Sequence, residues 1–159
     1  MRSIILHVED DENDAILFQH AITNAGQGTV PVHVASDGQA AIDYFKGAGK
    51  FANRQEFPLP CLVLLDLKLP HIPGLDVLKW LREHLGLSIP VVVLTSSDSE
   101  TDITAAYQAG ANAYVVKPSA ISKLGEIAKA IEDFWLNHNR SSPDARIPRS
   151  NSHPVRPRL

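Results

Sequence analysis

Cysteine is almost missing from this 159-residue chain, where Cys61 stands alone. A lone thiol closes no intramolecular disulfide, and its place before Leu62-Val63-Leu64-Leu65 reads as buried strand, which favours a reducing compartment. Long apolar runs are missing too. Nothing approaches the roughly 18 residues that span a bilayer, and the first apolar run meets Glu9, Asp10 and Asp11 too early for a signal peptide. A soluble, cytoplasmic protein is expected. No glycine-rich phosphate loop follows that run; Asp10-Asp11-Glu12-Asn13 stands there instead and would repel a phosphate, which counts against a nucleotide-binding or hydrolytic α/β enzyme. His7, His20, His33, His71 and His84 include no pair at metal-ligand spacing, so no chemistry is assigned to them.

Positive charge is scarce outside the last residues. Net charge is −3, but five arginines face one acid from Asn137 onward, a local +4 that leaves −7 for residues 1–136. An acidic body of this kind excludes a nucleic-acid footprint on it. With 44% hydrophobic and 21% charged residues the chain suits one domain, assigned to 1–136. Ser141 to Leu159 holds four of the eleven prolines and little aliphatic material, which cannot offset the entropy of ordering, so 137–159 reads as a flexible Pro/Arg-rich tail. That tail has no room for a helix-turn-helix output domain, so output is expected through protein contacts.

What is present is a regular alternation of strand-like and helix-like segments. Ile4 to Val8 is apolar, and Asp14 to Ala25 carries Ile16, Leu17, Ala21 and Ile22 at helical spacing before Gly26 and Gly28. Val30 to Val34 follows, then Asp37 as N-cap of a helix through Ala40, Ala41, Tyr44 and Phe45 that ends by Gly47. Leu62 to Leu65 is apolar throughout, as a strand covered on both faces must be, and Leu75 to Leu85 sets Leu75, Leu78, Leu81 and Leu85 on one stripe. Val91 to Leu94, a helix over Ser99 to Ala109, Ala113 to Val116, and a helix from Ser119 to Leu136 with Ile121, Leu124, Ile127, Ala128 and Ile131 inward complete the series. Five such pairs with short connections imply a doubly wound α/β fold, a five-stranded parallel sheet with helices on both faces. The exception is Lys46 to Pro60, read as a long loop and more readily an insertion than a partner contact.

Ligands of open α/β sheets bind beyond the carboxyl ends of the strands. Those ends carry Glu9, Asp10 and Asp11, then Asp66, then Thr95, Ser96 and Ser97, then Lys117 before Pro118. Taken singly, each has an ordinary reading as a loop acid, cap, turn hydroxyl or surface lysine. Delivered to one edge they suggest chemistry. Clustered carboxylates repel one another, and a hard oxygen-seeking cation, magnesium or manganese, relieves that repulsion. A carboxylate held at the rim beside such a cation, Asp66, can attack phosphorus, with Lys117 and Thr95 where phosphoryl oxygens must go.

At these residues the chain resembles the receiver domains of two-component response regulators, CheY-like, over residues 3 to about 136. The resemblance rests on Val8-Glu9-Asp10, on Leu64-Leu65-Asp66-Leu67-Lys68-Leu69-Pro70 with Pro73-Gly74, on Val93-Leu94-Thr95, and on Ala109-Gly110-Ala111-Asn112-Ala113-Tyr114 running into Val115-Val116-Lys117-Pro118. It implies a flavodoxin-like strand order 2-1-3-4-5, Asp66 as phospho-acceptor, and magnesium (or manganese) held by Glu9, Asp10, Asp66 and the Lys68 backbone carbonyl. It further implies Thr95 as switch hydroxyl, Tyr114 as the aromatic that follows it, Lys117 as ion-pair partner, and a cis bond between Lys117 and Pro118. Lys68, the long loop and Thr95-Ser96-Ser97-Asp98 resemble small stand-alone regulators that serve bacteriophytochrome-type sensor kinases. The expected partners are therefore a sensor histidine kinase, a downstream or phosphotransfer protein, and a second copy through the exposed face of the last helix, which ends in Phe134 and Trp135. Catalysis is limited to the protein's own phosphorylation and dephosphorylation. The rival is a non-phosphorylated adaptor of the same fold; the intact set Asp10, Asp66, Thr95 and Lys117 counts against it, because such a module has no physical need to keep a costly cluster of like charges.

Overall fold

Four- and five-residue strands of mostly β-branched and leucine side chains build the centre of this fold, seen here in a computed structural model that describes residues 3–25, 30–86 and 89–140. β1 (Ile5–Val8), β2 (Val32–Ala35), β3 (Leu62–Leu65), β4 (Val91–Thr95) and β5 (Ala113–Val116) form one parallel sheet in the order β2-β1-β3-β4-β5. The helices between them are α1 (Glu12–Ala25), α2 (Gly38–Lys46), α3 (Gly74–Leu85), α4 (Glu100–Gln108) and α5 (Ile121–Ile131), the last continuing as a π-helical segment over Glu132–His138. The expected doubly wound class and strand order are both present.

Covering on two sides explains the sequence of the inner strands. β1, β3 and β4 are buried at every position, whereas β5 at the edge is half-exposed. Alternate residues feed two cores. Ile5, Leu62, Leu64, Val92 and Leu94 meet Phe18 and Ile22 of α1 and Ala128 and Ile131 of α5. Leu6, Val8, Val63, Leu65 and Val91 meet Tyr44 and Phe45 of α2 and Val77, Leu78 and Leu81 of α3. Helix ends follow local rules: the Asp37 side chain accepts the Ala40 N–H at 2.7 Å, and Gly47 takes the left-handed φ of 65° that closes α2.

Three helix faces differ from the periodicity reading. In α1 Ile22 is buried and Ala21 packs on the core as expected, but Ile16 is 45% exposed and Leu17 only partly buried, and Ala15 and Phe18 complete the buried i, i+3, i+7 stripe instead. In α3 Val77 is fully buried and Leu75 only partly so. Ile121, expected inward, is 70% exposed because it opens α5 at the rim. Phe134 is exposed, but Trp135 packs on the α1/α5 core. The Lys117–Pro118 bond is trans, not cis; trans is the lower-energy X-Pro form by about 0.5–1 kcal/mol, and the long lysine stem reaches its acids without the isomer change. Gly26 and Gly28 and the tail 141–159 lie outside the described residues.

The long connection after α2 is built into the fold. A single 3-10 turn over Gly49–Phe51 buries Phe51, and Phe57 and Leu59 lie on the same core. Arg54 donates to the carbonyls of Tyr44 (2.7 Å), Phe45 (2.6 Å) and Phe57 (3.2 Å), supplementing the Gly47 N–H on the first and tying the end of α2 to its loop. The Tyr44 hydroxyl donates to the Pro58 carbonyl at 2.9 Å, so its 2.8 Å contact with His33 requires Nδ1–H of His33 to be the donor.

Candidate functional site

Register brings the polar strand ends together. Val8 pairs with Leu65, so Glu9 and Asp66 leave adjacent strands at one level, at the point between β1 and β3 where strand order reverses. Thr95 pairs with Val116, and the next residue, Lys117, donates its backbone N–H to the Thr95 carbonyl at 2.7 Å. One oxygen each of Glu9, Asp10 and Asp66 lie within 4.8 Å of one another. Glu9 and Asp66 are buried, Asp10 is exposed. Across them the Lys117 ammonium donates to Glu9 Oε2, to Asp66 Oδ2 at 2.9 Å and to Asp14 Oδ2 at 3.1 Å.

These neighbours set the ionisation of the site. Burial pushes Glu9 up to about 7, against the pull of Lys117 and of the Asp11 N–H. Burial works the same way on Asp66, but there the Lys68 N–H at 3.0 Å and the Lys117 ammonium outweigh it and hold the carboxyl below its ordinary value. Lys117 itself loses solvation, which lowers its pKa, yet Glu9 and Asp66 raise it further, so it stays charged. Three acids, Glu9, Asp14 and Asp66, thus face one ammonium, and a fourth, Asp10, lies beside Glu9 and Asp66.

The chain past Asp66 is shaped around that residue. Asp66 Oδ1 takes the Lys68 N–H, and the Lys68 ammonium lies 3.5 Å from Ser96 Oγ. The Gly74 N–H returns to the Leu67 carbonyl at 3.0 Å, and a Cβ at position 74 would fall 2.0 Å from the Asp66 carbonyl oxygen. Only glycine permits that approach. The Thr95 hydroxyl is fully buried and makes no hydrogen bond of regular geometry among the described residues, although it adds the smallest of the pulls that hold Asp66 down. The Tyr114 hydroxyl donates to the Ser97 carbonyl at 2.9 Å, over the connection into α4.

Two residues of this pocket lie outside the set drawn from the sequence. Asp14 looks like an ordinary first-turn acid of α1, and only the tertiary fold shows that it faces Lys117. His7 sits inside β1, 1% exposed, with Nε2 3.9 Å from Glu9 Oε2 and neither nitrogen hydrogen-bonded among the described residues. Burial and the nearby Lys117 charge lower its pKa to about 3, so it is neutral. Its position two residues before Glu9, on the same strand face, was the available clue.

An all-oxygen donor set with surplus negative charge and a buried, unpaired hydroxyl fits a hard divalent cation such as magnesium or manganese, and it fits no thiolate- or imidazole-bound metal. Comparison with known proteins agrees. The family model for the response regulator receiver domain matches residues 5–129. The probable methanogenesis regulatory protein FilR2 of Methanothrix harundinacea is 39% identical over 142 residues, 87% of this chain and 86% of that protein. Response regulator Rcp1 of Synechocystis is 36% identical over 134 residues, 84% of this chain and 88% of its own; its Mn(2+)-bound crystal structure superposes with a TM-score of 0.78 at 33% identity, covering 88% and 99% of the two chains. The crystal structure of the phosphorylated cyanobacterial phytochrome response regulator RcpA gives a TM-score of 0.81 at 37% identity, covering 89% of this chain and 99% of that one.

Proposed function

The chain belongs to the response regulator receiver domain family, and from that premise we propose that it is a phosphorylation switch in which Asp66 accepts a phosphoryl group from a sensor histidine kinase. The supporting observation is the setting of the Asp66 carboxylate: buried at a sheet edge, fixed by the Lys68 N–H on one oxygen and Lys117 on the other, and adjoining the Glu9–Asp10 pair. Glu9, Asp10, Asp66 and the Lys68 carbonyl are the residues that would hold Mg2+ or Mn2+. Bound there, the cation supplies charge neutralisation for the incoming phosphoryl oxygens.

The chain's own residues do the rest. An Asp66 oxygen forms the new O–P bond as the P–N bond of the kinase phosphohistidine breaks and the imidazole keeps the electron pair. Lys117 donates hydrogen bonds to the added negative charge, and the Thr95 hydroxyl, buried without a regular partner, turns toward it. Tyr114 then follows Thr95, changing the face of β5 and the last two helices that a downstream protein, a phosphotransfer partner or a second copy reads. Hydrolysis of the acyl phosphate resets the switch, and no other substrate is turned over. Similarity to RcpA, a phytochrome response regulator, supports a phytochrome-type kinase as the partner, and signalling through protein contacts in the cytoplasm follows from this reading. An unphosphorylated adaptor has no use for a cluster of four acids with one lysine bonded to three of them.

Intact mass after incubation with acetyl phosphate, with and without magnesium and beside Asp66→Asn, tests the proposal. One added phosphoryl group that needs both magnesium and Asp66 is expected. Equal labelling of Asp66→Asn would move the acceptor elsewhere.

A further inference from the structure

Lys117 has three ammonium hydrogens and finds three carboxylates, on Glu9, Asp66 and Asp14. Glu9 and Asp66 also belong to the oxygen cluster suited to a cation; Asp14 does not. Asp14 rides on the first turn of α1 with its side chain 44% exposed, whereas the Glu9 and Asp66 side chains are 1% and 8% exposed. From this difference, and resting on the metal and phosphoryl roles given above, we propose that Asp14 is a positioning residue for Lys117. It keeps the ammonium at the sheet edge when a cation draws Glu9 and Asp66 away.

A divalent cation entering the pocket competes with Lys117 for the same oxygens. The lysine side chain is only 16% exposed, so an ammonium stripped of both buried acids would be left poorly solvated and unpaired, which is costly. Asp14 removes most of that cost. It offers a charged acceptor 3.1 Å away that the cation does not claim, and the hydrogen bond to it persists through loading. Because Asp14 sits on α1 and Lys117 on the connection between β5 and α5, the same bond ties loading of the site to two helices that share one core. Asp14 acts through Lys117 and touches neither the cation nor the phosphoryl group.

The test is a double-mutant cycle on magnesium affinity by titration calorimetry, using the full chain as wild type, Asp14→Ala, Lys117→Ala and the double variant. Asp14→Ala is expected to weaken magnesium binding about threefold to tenfold, the range of a charged hydrogen bond at a half-exposed site. Lys117→Ala should tighten it, having removed the competitor. On the Lys117→Ala background the Asp14 substitution should change affinity less than about twofold, and Asp14→Glu should recover part of the single-variant loss. An unchanged affinity in Asp14→Ala overturns the proposal, as does an equal loss on both backgrounds, which would make Asp14 a direct electrostatic contributor. Thermal unfolding without metal verifies the fold of each variant. Acetyl phosphate labelling of the wild type reports separately on the switch: if magnesium binds and no phosphoryl group is added, the phosphorylation reading fails while calorimetry still decides the role of Asp14.

Discussion

Arg54 and Lys117 each gather oxygens from distant stretches of this chain, but they gather different kinds. Arg54 collects three backbone carbonyls, neutral dipoles that one guanidinium saturates, and beside it Tyr44, His33 and Pro58 close a chain of hydrogen bonds. Lys117 collects three carboxyl groups, with a fourth on Asp10 near two of them, and around it His7 and the Thr95 hydroxyl go without regular partners among the described residues. The first cluster is complete within the polypeptide. The second holds more carboxyl groups than its one ammonium can neutralise, and clustered, partly buried groups of this kind are a physical mark of a ligand site.

Substitutions should therefore act with opposite sign in the two places. The largest effect is expected from Tyr44→Ala, which empties a fully buried ring position and orphans the Pro58 carbonyl; a loss of about 4 kcal/mol in urea unfolding is expected, and a loss under about 1 kcal/mol would mean the long loop is not held by this cluster. Next comes Glu9. Its carboxyl ionises near 7 in the folded protein and near 4.5 without this burial, so between those values the folded state holds the extra proton. Stability of the metal-free protein is then greatest below about 4.5 with respect to this group and falls as pH rises through 7, by about 3 kcal/mol at most. Saturating magnesium, which binds the ionised form, should flatten that slope; a slope identical in Glu9→Gln would assign it to another group. The smallest effect is Thr95→Val, a swap of a buried unpaired hydroxyl for a methyl, which should raise stability by about 1 kcal/mol while blunting the response to phosphodonor. A destabilised Thr95→Val would mean that the hydroxyl is satisfied in solution and would blur the contrast between the clusters.

Most of the fold was legible because its grammar is short-range. Continuous apolar runs at Leu62–Leu65 and Val91–Leu94 have one physical solution, burial on both faces, and the polar residue that ends each run marks the functional edge. Asp66, Thr95, Lys117, Glu9 and Asp10 were found that way, and the structure brings them to one edge. Rotation of a helix about its axis was less legible: Ile16 and Phe18 both suit a core stripe, and only the position of α5 beside α1 decides for Phe18. Asp14 and His7 were missed for a related reason, since their importance lies in a partner far along the chain for Asp14 and in burial for His7. Arg54 left no pattern at all. Its acceptors are main-chain carbonyls, which every residue possesses.

Gly74 has a bearing on inheritance as well as on packing. The backbone of the acceptor loop and the start of α3 lie so close that any side chain at this position must displace the carbonyl of Asp66 itself. A codon change there to another small neutral residue alters no charge, removes no hydrogen-bonding side chain and leaves every reactive group encoded, yet it disturbs the reactive residue through its own main chain. A Gly74→Ala substitution is therefore expected to impair the acceptor loop although it removes no reactive group, and wild-type melting and phosphodonor labelling in that variant would show that the backbone contact can be relaxed at no cost.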